Sequence, residues 1–335
     1  MEDQNYFALV VSGNAGEGFR RTVCRQRIGD LPAGEILVRV HYSSLNYKDA
    51  LSATGNRGVT RRYPHTPGID AAGIVVASHS SSFRSGDPVV CMGHDLGMNT
   101  AGGFGQFIRV PADWVLPLPE PLTLLESMRI GTAGFTAAQC VHRLLAHGLE
   151  PDSGPVLVTG ATGGVGSFAV ALLARLGYRV VAVTGKKSEH AFLGQLGAAE
   201  VIDRARAATG GARMMLRERW AGVVDTVGGE ILAAAVKACR YGGMVTCCGN
   251  AASGDLPLSV YPFILRAVTL AGIDSASCPM ARRRQIWDLL AGEWRLDMLE
   301  RLSRVIDLAG LDDAISAMLA GAVRGRIVIN MQEDP

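Results

Sequence analysis

Apolar residues in the second half of the chain fall into short runs separated by longer mixed segments. The runs that predict buried strands are 156–159, 180–184, 199–202, 222–226, 243–248 and 268–273. Runs that are apolar on both faces are typical of a parallel sheet covered by helices on each side. Six such strands with helices between them predict a doubly wound α/β domain.

The first part of the chain shows a different pattern. Its apolar runs are short and turn-bounded, and the strands they predict are 6–11, 36–42, 71–77, the end of a turn-and-strand segment at 85–91, and 102–110. The segment 43–51 predicts a loop that enters a short helix, and with little other helix this region is expected to be β-rich. Beyond it, 124–130 and 135–146 predict two helices on either side of a Gly-Thr-Ala-Gly turn, and 325–329 predicts a strand that rejoins the first domain.

These patterns predict two domains, in keeping with a length of 335 residues. The first domain is expected to comprise 1–128 and 306–335. The second is expected to comprise 129–305.

A glycine-rich turn follows the first strand of the second domain and leads into an apolar helix. It contains Gly160, Gly163, Gly164 and Gly166, and strand, turn and helix in this order are the context of a dinucleotide site. One glycine permits the turn, one lets backbone N–H groups approach a pyrophosphate, and one lets the helix lie close to the strand. A tight turn without a ligand is the alternative, and the strand at 180–184 favours the nucleotide site.

The residues after the second strand distinguish between two nicotinamide cofactors. NAD sites usually place an acid there, whereas NADP sites offer cations to the 2′-phosphate. This chain has two of its four lysines at Lys186 and Lys187, no acid before Glu189, and a further cation at Arg204. The pattern therefore favours NADPH, unless the two lysines are simply solvated loop residues.

Net charge, apolar run length and cysteine spacing argue against several classes of protein. The net charge of +2 gives no reason to expect a nucleic-acid surface, and no apolar run is long enough to span a membrane. The N-terminus lacks the pattern of a signal peptide. Seven scattered cysteines without metal-ligand spacing fit reduced thiols in a cytoplasmic protein.

Motifs distributed along the chain carry a family resemblance. They are Asn46-Tyr47-x-Asp49, Pro67-Gly68-Ile69-Asp70-x-x-Gly73, Gly86-Asp87-x-Val89, Gly131-Thr132-Ala133-Gly134-x-Thr136-Ala137 and the glycine turn. With these motifs the chain resembles the medium-chain dehydrogenase/reductase superfamily. The resemblance implies a GroES-like β-rich catalytic domain and a Rossmann domain that binds the nucleotide.

Zinc-dependent members of that superfamily carry a Cys ligand near the position of Asn46 and a Gly-His-Glu motif after the equivalent of Pro67. This chain has Gly68-Ile69-Asp70 instead, and it lacks the family's four-cysteine lobe. A catalytic zinc site needs three protein ligands, so we expect no metal, and His65 and His94 are expected to be polar loop residues. The chain therefore resembles the zinc-free quinone oxidoreductase branch.

Within that branch the finer resemblance is to NADPH-dependent acrylyl-CoA reductases, and it is carried by 45–51, 158–167, 225–228 and 262–275. It implies that Tyr47 lies beside the nicotinamide. The other implied cofactor contacts are Thr162, Gly163, Gly164 and Val165 for the pyrophosphate, Thr184, Gly185, Lys186 and Arg204 for the 2′-phosphate, and Asn250, Ile264 and Ser275 for the nicotinamide side.

The chemistry implied is hydride transfer to Cβ of an enoyl thioester and protonation at Cα. Tyr47 is the candidate proton donor or carbonyl-polarising group, because a phenol with an ordinary pKa of about 10 is protonated at neutral pH; an aromatic wall is the alternative. Asn46 is expected to orient Tyr47 or to bind the nicotinamide carboxamide. Candidate cations for a CoA tail are Arg57, Arg61, Arg62 and Arg282–Arg284, most of them expected to be solvated surface residues.

Three functions stay open at this point. The first is reduction of a short 2-enoyl-CoA such as acrylyl-CoA, the second is reduction of quinones or free enones, and the third is non-enzymatic binding of NADPH. By analogy with relatives, the chain is expected to form a homodimer through the sheet edge at 268–273.

Overall fold

The computed structural model describes residues 2–210 and 213–335 and divides into two compact units. The first unit consists of Met1–Thr132, Ala276–Gly292 and Met298–Pro335. The second consists of Ala133–Ser275 and Glu293–Asp297. Among the described residues, no helix is long and apolar enough to cross a membrane.

The strands, in chain order, are β1 Asn5–Asn14, β2 Gly18–Arg27, β3 Ile36–Leu45, β4 Asp70–Ser78, β5 Pro88–Met92, β6 Phe107–Val110, β7 Val115–Pro117, β8 Val156–Val158, β9 Val180–Thr184, β10 Glu200–Asp203, β11 Trp220–Asp225, β12 Cys239–Cys247, β13 Thr269–Gly272, β14 Ser303–Asp307 and β15 Arg326–Asn330. The α-helices are α1 Tyr47–Ser52, α2 Leu124–Ala146, α3 Gly164–Arg175, α4 His190–Gln195, α5 Arg204–Ala207, α6 Gly229–Lys237, α7 Tyr261–Arg266, α8 Met280–Ala291, α9 Leu299–Leu302 and α10 Leu311–Leu319.

The second unit is built on a six-stranded parallel sheet in the order β10-β9-β8-β11-β12-β13. Every residue of β8, β9 and β11 is buried, as expected for strands covered on both faces. The first strand in sequence, β8, is central, and the order reverses between β8 and β11, which is the arrangement of a doubly wound Rossmann sheet. The prediction of six parallel strands is confirmed, with β13 at one edge.

The first unit contains a seven-stranded sheet and a separate hairpin. The order of the main sheet is β14-β15-β3-β4-β5-β7, with β6 also paired to β3. Strand β15 runs antiparallel to β3, with Ile327 opposite Leu45, so the predicted return of the C-terminal strand is confirmed. Strands β1 and β2 form the hairpin.

The segment α2 consists of two helices that meet at a kink at Gly131. Gly131 has φ of 49° and ψ of −162°, outside the helical region. The prediction of two helices on either side of this position is confirmed, but the break between them is the single residue Gly131 and not the whole four-residue turn, because a glycine can adopt a backbone conformation that interrupts a helix within one residue.

Helix α8 packs within the first unit. Arg283 is fully buried and donates from Nη1 to the carbonyl of Met92 at 3.1 Å, and Trp287 Nε1 donates to Met92 Sδ at 3.3 Å. The expected domain limits, 1–128 with 306–335 and 129–305, stay a prediction, while these contacts explain why Ala276–Gly292 belongs to the first compact unit.

Candidate active site

The glycine turn after β8 has the close packing that its sequence predicts. Gly160 has φ of 57°, a conformation that favours glycine. A Cβ on Gly166 would lie 2.3 Å from the carbonyl oxygen of Gly160 and 2.8 Å from the Cα of Ala161. Only a residue without a side chain lets the first turn of α3 lie against this loop.

A buried hydrogen-bond network joins the ends of β8 and β11. Thr159 Oγ1 donates to Asp225 Oδ1 at 2.7 Å and accepts the N–H of Thr226 at 3.0 Å. Asp225 Oδ2 accepts the N–H of Gly228 at 2.8 Å, and burial raises the pKa of this carboxyl although these bonds oppose the shift. The network fixes both loops at the point where the strand order reverses, which is where open α/β sheets bind ligands.

The four predicted pyrophosphate contacts lie together at the start of α3. Thr162 is buried, Gly163 precedes the helix, Gly164 is its first residue, and Val165 is half-buried. The N-terminal N–H groups of an α-helix lack partners within the helix and carry partial positive charge. This location suits them to phosphate oxygens.

The predicted 2′-phosphate contacts also lie together. Thr184 Oγ1 accepts the N–H of Lys186 at 3.0 Å, and a Cβ on Gly185 would lie 2.9 Å from Arg204 Nε. Burial lowers the pKa of Lys186; Arg204 lowers it further, while Glu189 acts in the opposite direction. The loop after β9 and the start of α5 therefore bring two cations close to each other.

The three residues predicted to line the nicotinamide side occupy separate positions in the second unit. Asn250 and Ser275 each follow a strand by three residues, β12 and β13 respectively, so both lie at the carboxyl edge of the sheet. Asn250 is exposed and Ser275 is half-buried. Ile264 lies on α7, which connects the two strands, and its side chain is 69% exposed.

In the first unit, Tyr47 begins α1 and its side chain is 48% exposed. Asn46 is the N-cap of α1: its N–H donates to Asp49 Oδ2 at 2.8 Å, and the Asp49 N–H donates to the Asn46 carbonyl oxygen at 3.0 Å. Asp49 Oδ1 accepts the N–H of Ile69 at 2.9 Å. The turn that presents Tyr47 is therefore tied to the loop before β4.

Polar groups from three parts of the first unit contact the Asp70 carboxylate: Ser44 and Asn46, Thr132, and Arg326. Its Oδ2 accepts bonds from Ser44 Oγ at 2.5 Å and Asn46 Nδ2 at 2.8 Å. Thr132 donates to it twice, from the backbone N–H to Oδ2 at 2.9 Å and from Oγ1 to Oδ1 at 2.6 Å. The carboxylate is completely buried, so it is a fixed hub rather than a solvated group.

Arg326 completes this cluster from β15. Its Nη1 donates to Asn46 Oδ1 at 2.9 Å and its Nη2 to Ser44 Oγ at 2.7 Å, and Nη2 lies 3.5 Å from Asp70 Oδ2. The side chain is 2% exposed, and burial lowers the pKa of the guanidinium while Asp70 opposes the shift. Arg326, Ser44 and Thr132 were not predicted as site residues, because the contacts that bring them together join distant parts of the chain.

Burial and the nearby Asp70 raise the pKa of Asp49 from 3.8 to about 7, against the effect of its backbone hydrogen bonds. Asp49 and Asp70 thus share one buried region with the Arg326 guanidinium.

Comparison with known proteins assigns both units to one superfamily. Residues 32–120 match the alcohol dehydrogenase GroES-like domain, and residues 164–292 match the zinc-binding dehydrogenase domain. The chain belongs to the medium-chain dehydrogenase/reductase superfamily. The expected combination of a GroES-like and a Rossmann domain is confirmed.

Relatives within the superfamily match almost the full chain. The sequence is 44% identical over 325 residues to the acrylyl-CoA reductase AcuI of Ruegeria pomeroyi, covering 97% of this chain and 98% of that protein. It is also 44% identical over 303 residues to the putative quinone oxidoreductase YhfP of Bacillus subtilis, covering 90% of this chain and 92% of that protein.

Two solved structures share the fold closely. The yhdH oxidoreductase of Salmonella enterica in complex with NADP has a TM-score of 0.94 and 42% identity, covering 97% of this chain and 100% of its own. The Bacillus subtilis protein yhfP with NAD bound has a TM-score of 0.95 and 41% identity, covering 98% of this chain and 100% of its own.

The zinc chemistry of some medium-chain dehydrogenases does not fit the residues of this chain. Across residues 2–210 and 213–335, no three His, Cys, Asp or Glu side chains are grouped to hold a metal ion. The Arg326 guanidinium beside Asp70 would repel a cation. His65 Nε2 lies 2.9 Å from the carbonyl oxygen of Gly97, and the His94 ring stacks on Trp114 with a centroid distance of 5.2 Å.

Proposed function

We propose that this protein is an NADPH-dependent reductase of a short 2-enoyl-CoA that converts acrylyl-CoA to propanoyl-CoA. The observation that carries the proposal is the 44% identity to an acrylyl-CoA reductase over 98% of that protein's length. Such coverage includes the glycine turn and the Asn46–Tyr47 turn together.

NADPH fits the residues of the second unit. Thr162, Gly163, Gly164 and Val165 would hold the pyrophosphate at the start of α3, and Thr184, Gly185, Lys186 and Arg204 would hold the 2′-phosphate. Asn250, Ile264 and Ser275 would contact the nicotinamide half. The close approach of Gly166 to Gly160 and the neighbouring cations support this assignment. When bound, NADPH supplies the hydride.

Tyr47 is the proposed catalytic residue. Hydride addition at Cβ leaves an enolate on the thioester, which needs a hydrogen-bond donor at oxygen and a proton at Cα. A protonated phenol can serve either need, and the 48% exposed side chain of Tyr47 is accessible to a ligand. Asn46 is proposed to orient this turn rather than to bind the carboxamide, because its amide is bonded to Ser44, Asp70 and Arg326.

A second candidate function is reduction of quinones or free enones by the same hydride delivery. It is favoured by the 44% identity to the putative quinone oxidoreductase YhfP. The two functions differ in the acceptor alone, so a comparison of acceptors separates them.

We also propose a cytoplasmic homodimer that acts on its small-molecule substrate without nucleic acid or membrane. The seven free cysteines suit a reducing compartment. Strand β13 is a sheet edge, and the adjacent α7 exposes the apolar side chains of Ile264 and Leu265. An open edge with exposed apolar groups is the kind of surface that pairs with a second copy.

The test follows NADPH absorbance with acrylyl-CoA, crotonyl-CoA and 1,4-benzoquinone as acceptors and NADH as the alternative donor. The proposal expects fast turnover with acrylyl-CoA and NADPH. Tyr47→Phe should then lower kcat by about 100-fold, the usual size of general acid catalysis, while Tyr241→Phe, a matched change at an exposed tyrosine, should leave it unchanged. Turnover of the quinone alone would replace the main proposal with the second.

A further inference from the structure

Arg326 lies at the point where the C-terminal strand meets the start of α1. Strand β15 pairs antiparallel with β3, and Ile327 stands opposite Leu45. The register therefore places Arg326 next to Asn46, the N-cap of α1, although 280 positions separate the two residues in sequence. We propose that Arg326 is a positioning residue for the proposed reaction, because it fixes the Asn46 amide and through it the turn that presents Tyr47.

The geometry of the guanidinium matches this role. One terminal nitrogen donates to Asn46 Oδ1 at 2.9 Å, and the other donates to Ser44 Oγ at 2.7 Å and faces Asp70. A planar fork can hold two partners at once in a fixed direction, which a lysine ammonium cannot do. Asn46 is thereby held with its oxygen toward a cation and its nitrogen toward the Asp70 carboxylate.

The orientation of the Tyr47 side chain depends on the position of Asn46 more than the orientation of a tightly packed core residue would. The Tyr47 side chain is about half exposed, so its direction is set by the backbone of the first turn of α1 rather than by tight packing. Asn46 is the N-cap residue of that turn and directly precedes Tyr47, and its backbone is bonded to Asp49. Greater mobility of Asn46 should therefore make the orientation of the Tyr47 side chain less well defined.

The kink in α2 makes room for the cluster. A Cβ on Gly131 would lie 2.3 Å from Arg326 Nη2, 2.6 Å from Ser44 Oγ and 2.7 Å from Asp70 Oδ2. A buried ion pair adds little to stability, because the cost of removing both charges from water offsets their attraction. The Arg326–Asp70 pair is therefore better explained as a means of holding the neighbouring side chains in one arrangement. Ser44, Asp70 and Arg326, which lie on β3, β4 and β15, thus converge on the side-chain amide of the residue that directly precedes Tyr47.

The inference rests on the proposed function and is tested with Arg326→Lys, which keeps the charge and loses the fork. The expected results are a kcat lowered by about 10-fold to 100-fold and faster amide hydrogen exchange in 47–52. The Kd for NADPH should stay unchanged. Arg304→Lys, at an exposed position on the neighbouring strand β14, is the matched control and should change neither quantity.

A double-mutant cycle separates positioning from general support. If Arg326 acts through Tyr47, the variant carrying both Arg326→Lys and Tyr47→Phe should have the kcat of Tyr47→Phe alone. Multiplied losses, or exchange in 47–52 at the wild-type rate, would overturn the inference. If Tyr47→Phe has the kcat of the wild type, Tyr47 is not the proton donor and the proposed function fails in that respect. The rate of hydrogen exchange in 47–52 then shows by itself whether Arg326 fixes the first turn of α1. If Arg326→Lys does not fold, Ser44→Ala removes one acceptor of the fork and should move both readouts in the same direction.

Discussion

The polar groups of the two units are arranged in opposite ways. In the first unit, Asp70, Arg326 and Asn46 are buried and bonded to one another. In the second, Arg204 is exposed, Lys186 is half-buried, and the N-terminus of α3 has no side-chain cap. The first arrangement fixes a backbone turn before any ligand arrives, whereas the second offers charge and backbone donors to an anion.

The difference explains why the two regions should respond differently to substitution. A buried network in a low-dielectric interior is costly when one partner is lost, because the remaining groups have no water to replace it. An exposed cation near a phosphate affects affinity more than folding. Changes in the first unit should therefore appear as loss of structure or of kcat, and changes in the second as loss of cofactor selectivity.

The largest effect is expected for Gly131→Ala. The added Cβ would overlap Arg326, Ser44 and Asp70, and alanine is strained at φ of 49°. We expect a loss of more than about 3 kcal/mol in the free energy of unfolding, measured by urea denaturation. Gly321→Ala is the control, because Gly321 has φ of 66° with no atom near the added Cβ, and it should cost only about 1 kcal/mol. Equal losses in the two variants would show that backbone strain, not the cluster, explains Gly131.

The cations of the second unit should control the choice of cofactor. Lys186→Ala combined with Arg204→Ala would remove the two charge-assisted bonds that we propose to the 2′-phosphate, and each such bond contributes about 1.5–3 kcal/mol. We expect kcat/KM for NADPH to fall at least 100-fold and kcat/KM for NADH to stay within about two-fold. The unfolding midpoint should not move.

Lys187→Ala is the matched control for that experiment, since Lys187 is the exposed neighbour of Lys186. If Lys187→Ala alone reproduces the loss of selectivity, the assignment of the 2′-phosphate contacts is wrong. Equal losses with NADPH and NADH would place the cations away from the 2′-phosphate.

The second unit was largely predictable from the sequence because its strands are buried on both faces and its glycine turn is local. Continuous apolar runs such as 180–184 leave little ambiguity. The need for glycine at position 166 follows from contacts with residues only a few positions away in sequence, Gly160 and Ala161. Local patterns of this kind carry their own structural context.

The first unit was less predictable from the sequence, because several of its polar residues have structural roles. Strand β2 was not predicted, because its residues alternate between exposed and half-buried and include several arginines. Arg283, which stands among the expected solvated arginines, is fully buried, so that expectation is wrong for it. The Arg326 cluster joins residues from positions 44 to 326, and no periodicity reveals such a long-range contact.

The most gradual effect is expected for the buried carboxyl of Asp49, because it is spread over several pH units. Its pKa is raised to about 7 in the folded protein, so the folded chain binds this proton more tightly than the unfolded chain. The stability that Asp49 contributes is fully present below its ordinary pKa of 3.8 and is lost as the pH rises to about 7, at no more than about 1.4 kcal/mol per pH unit.

Asp49→Asn cannot titrate, and it keeps one acceptor for the backbone N–H groups of the turn. The difference in unfolding free energy between wild type and Asp49→Asn should therefore shift in favour of the variant between pH 5 and pH 8, as measured by urea denaturation at constant ionic strength. Asp152→Asn, a change at an exposed carboxyl, should show no such shift. A difference that is independent of pH would mean that Asp49 is ionised throughout, with the Arg326 guanidinium and the backbone donors outweighing burial and the repulsion from Asp70.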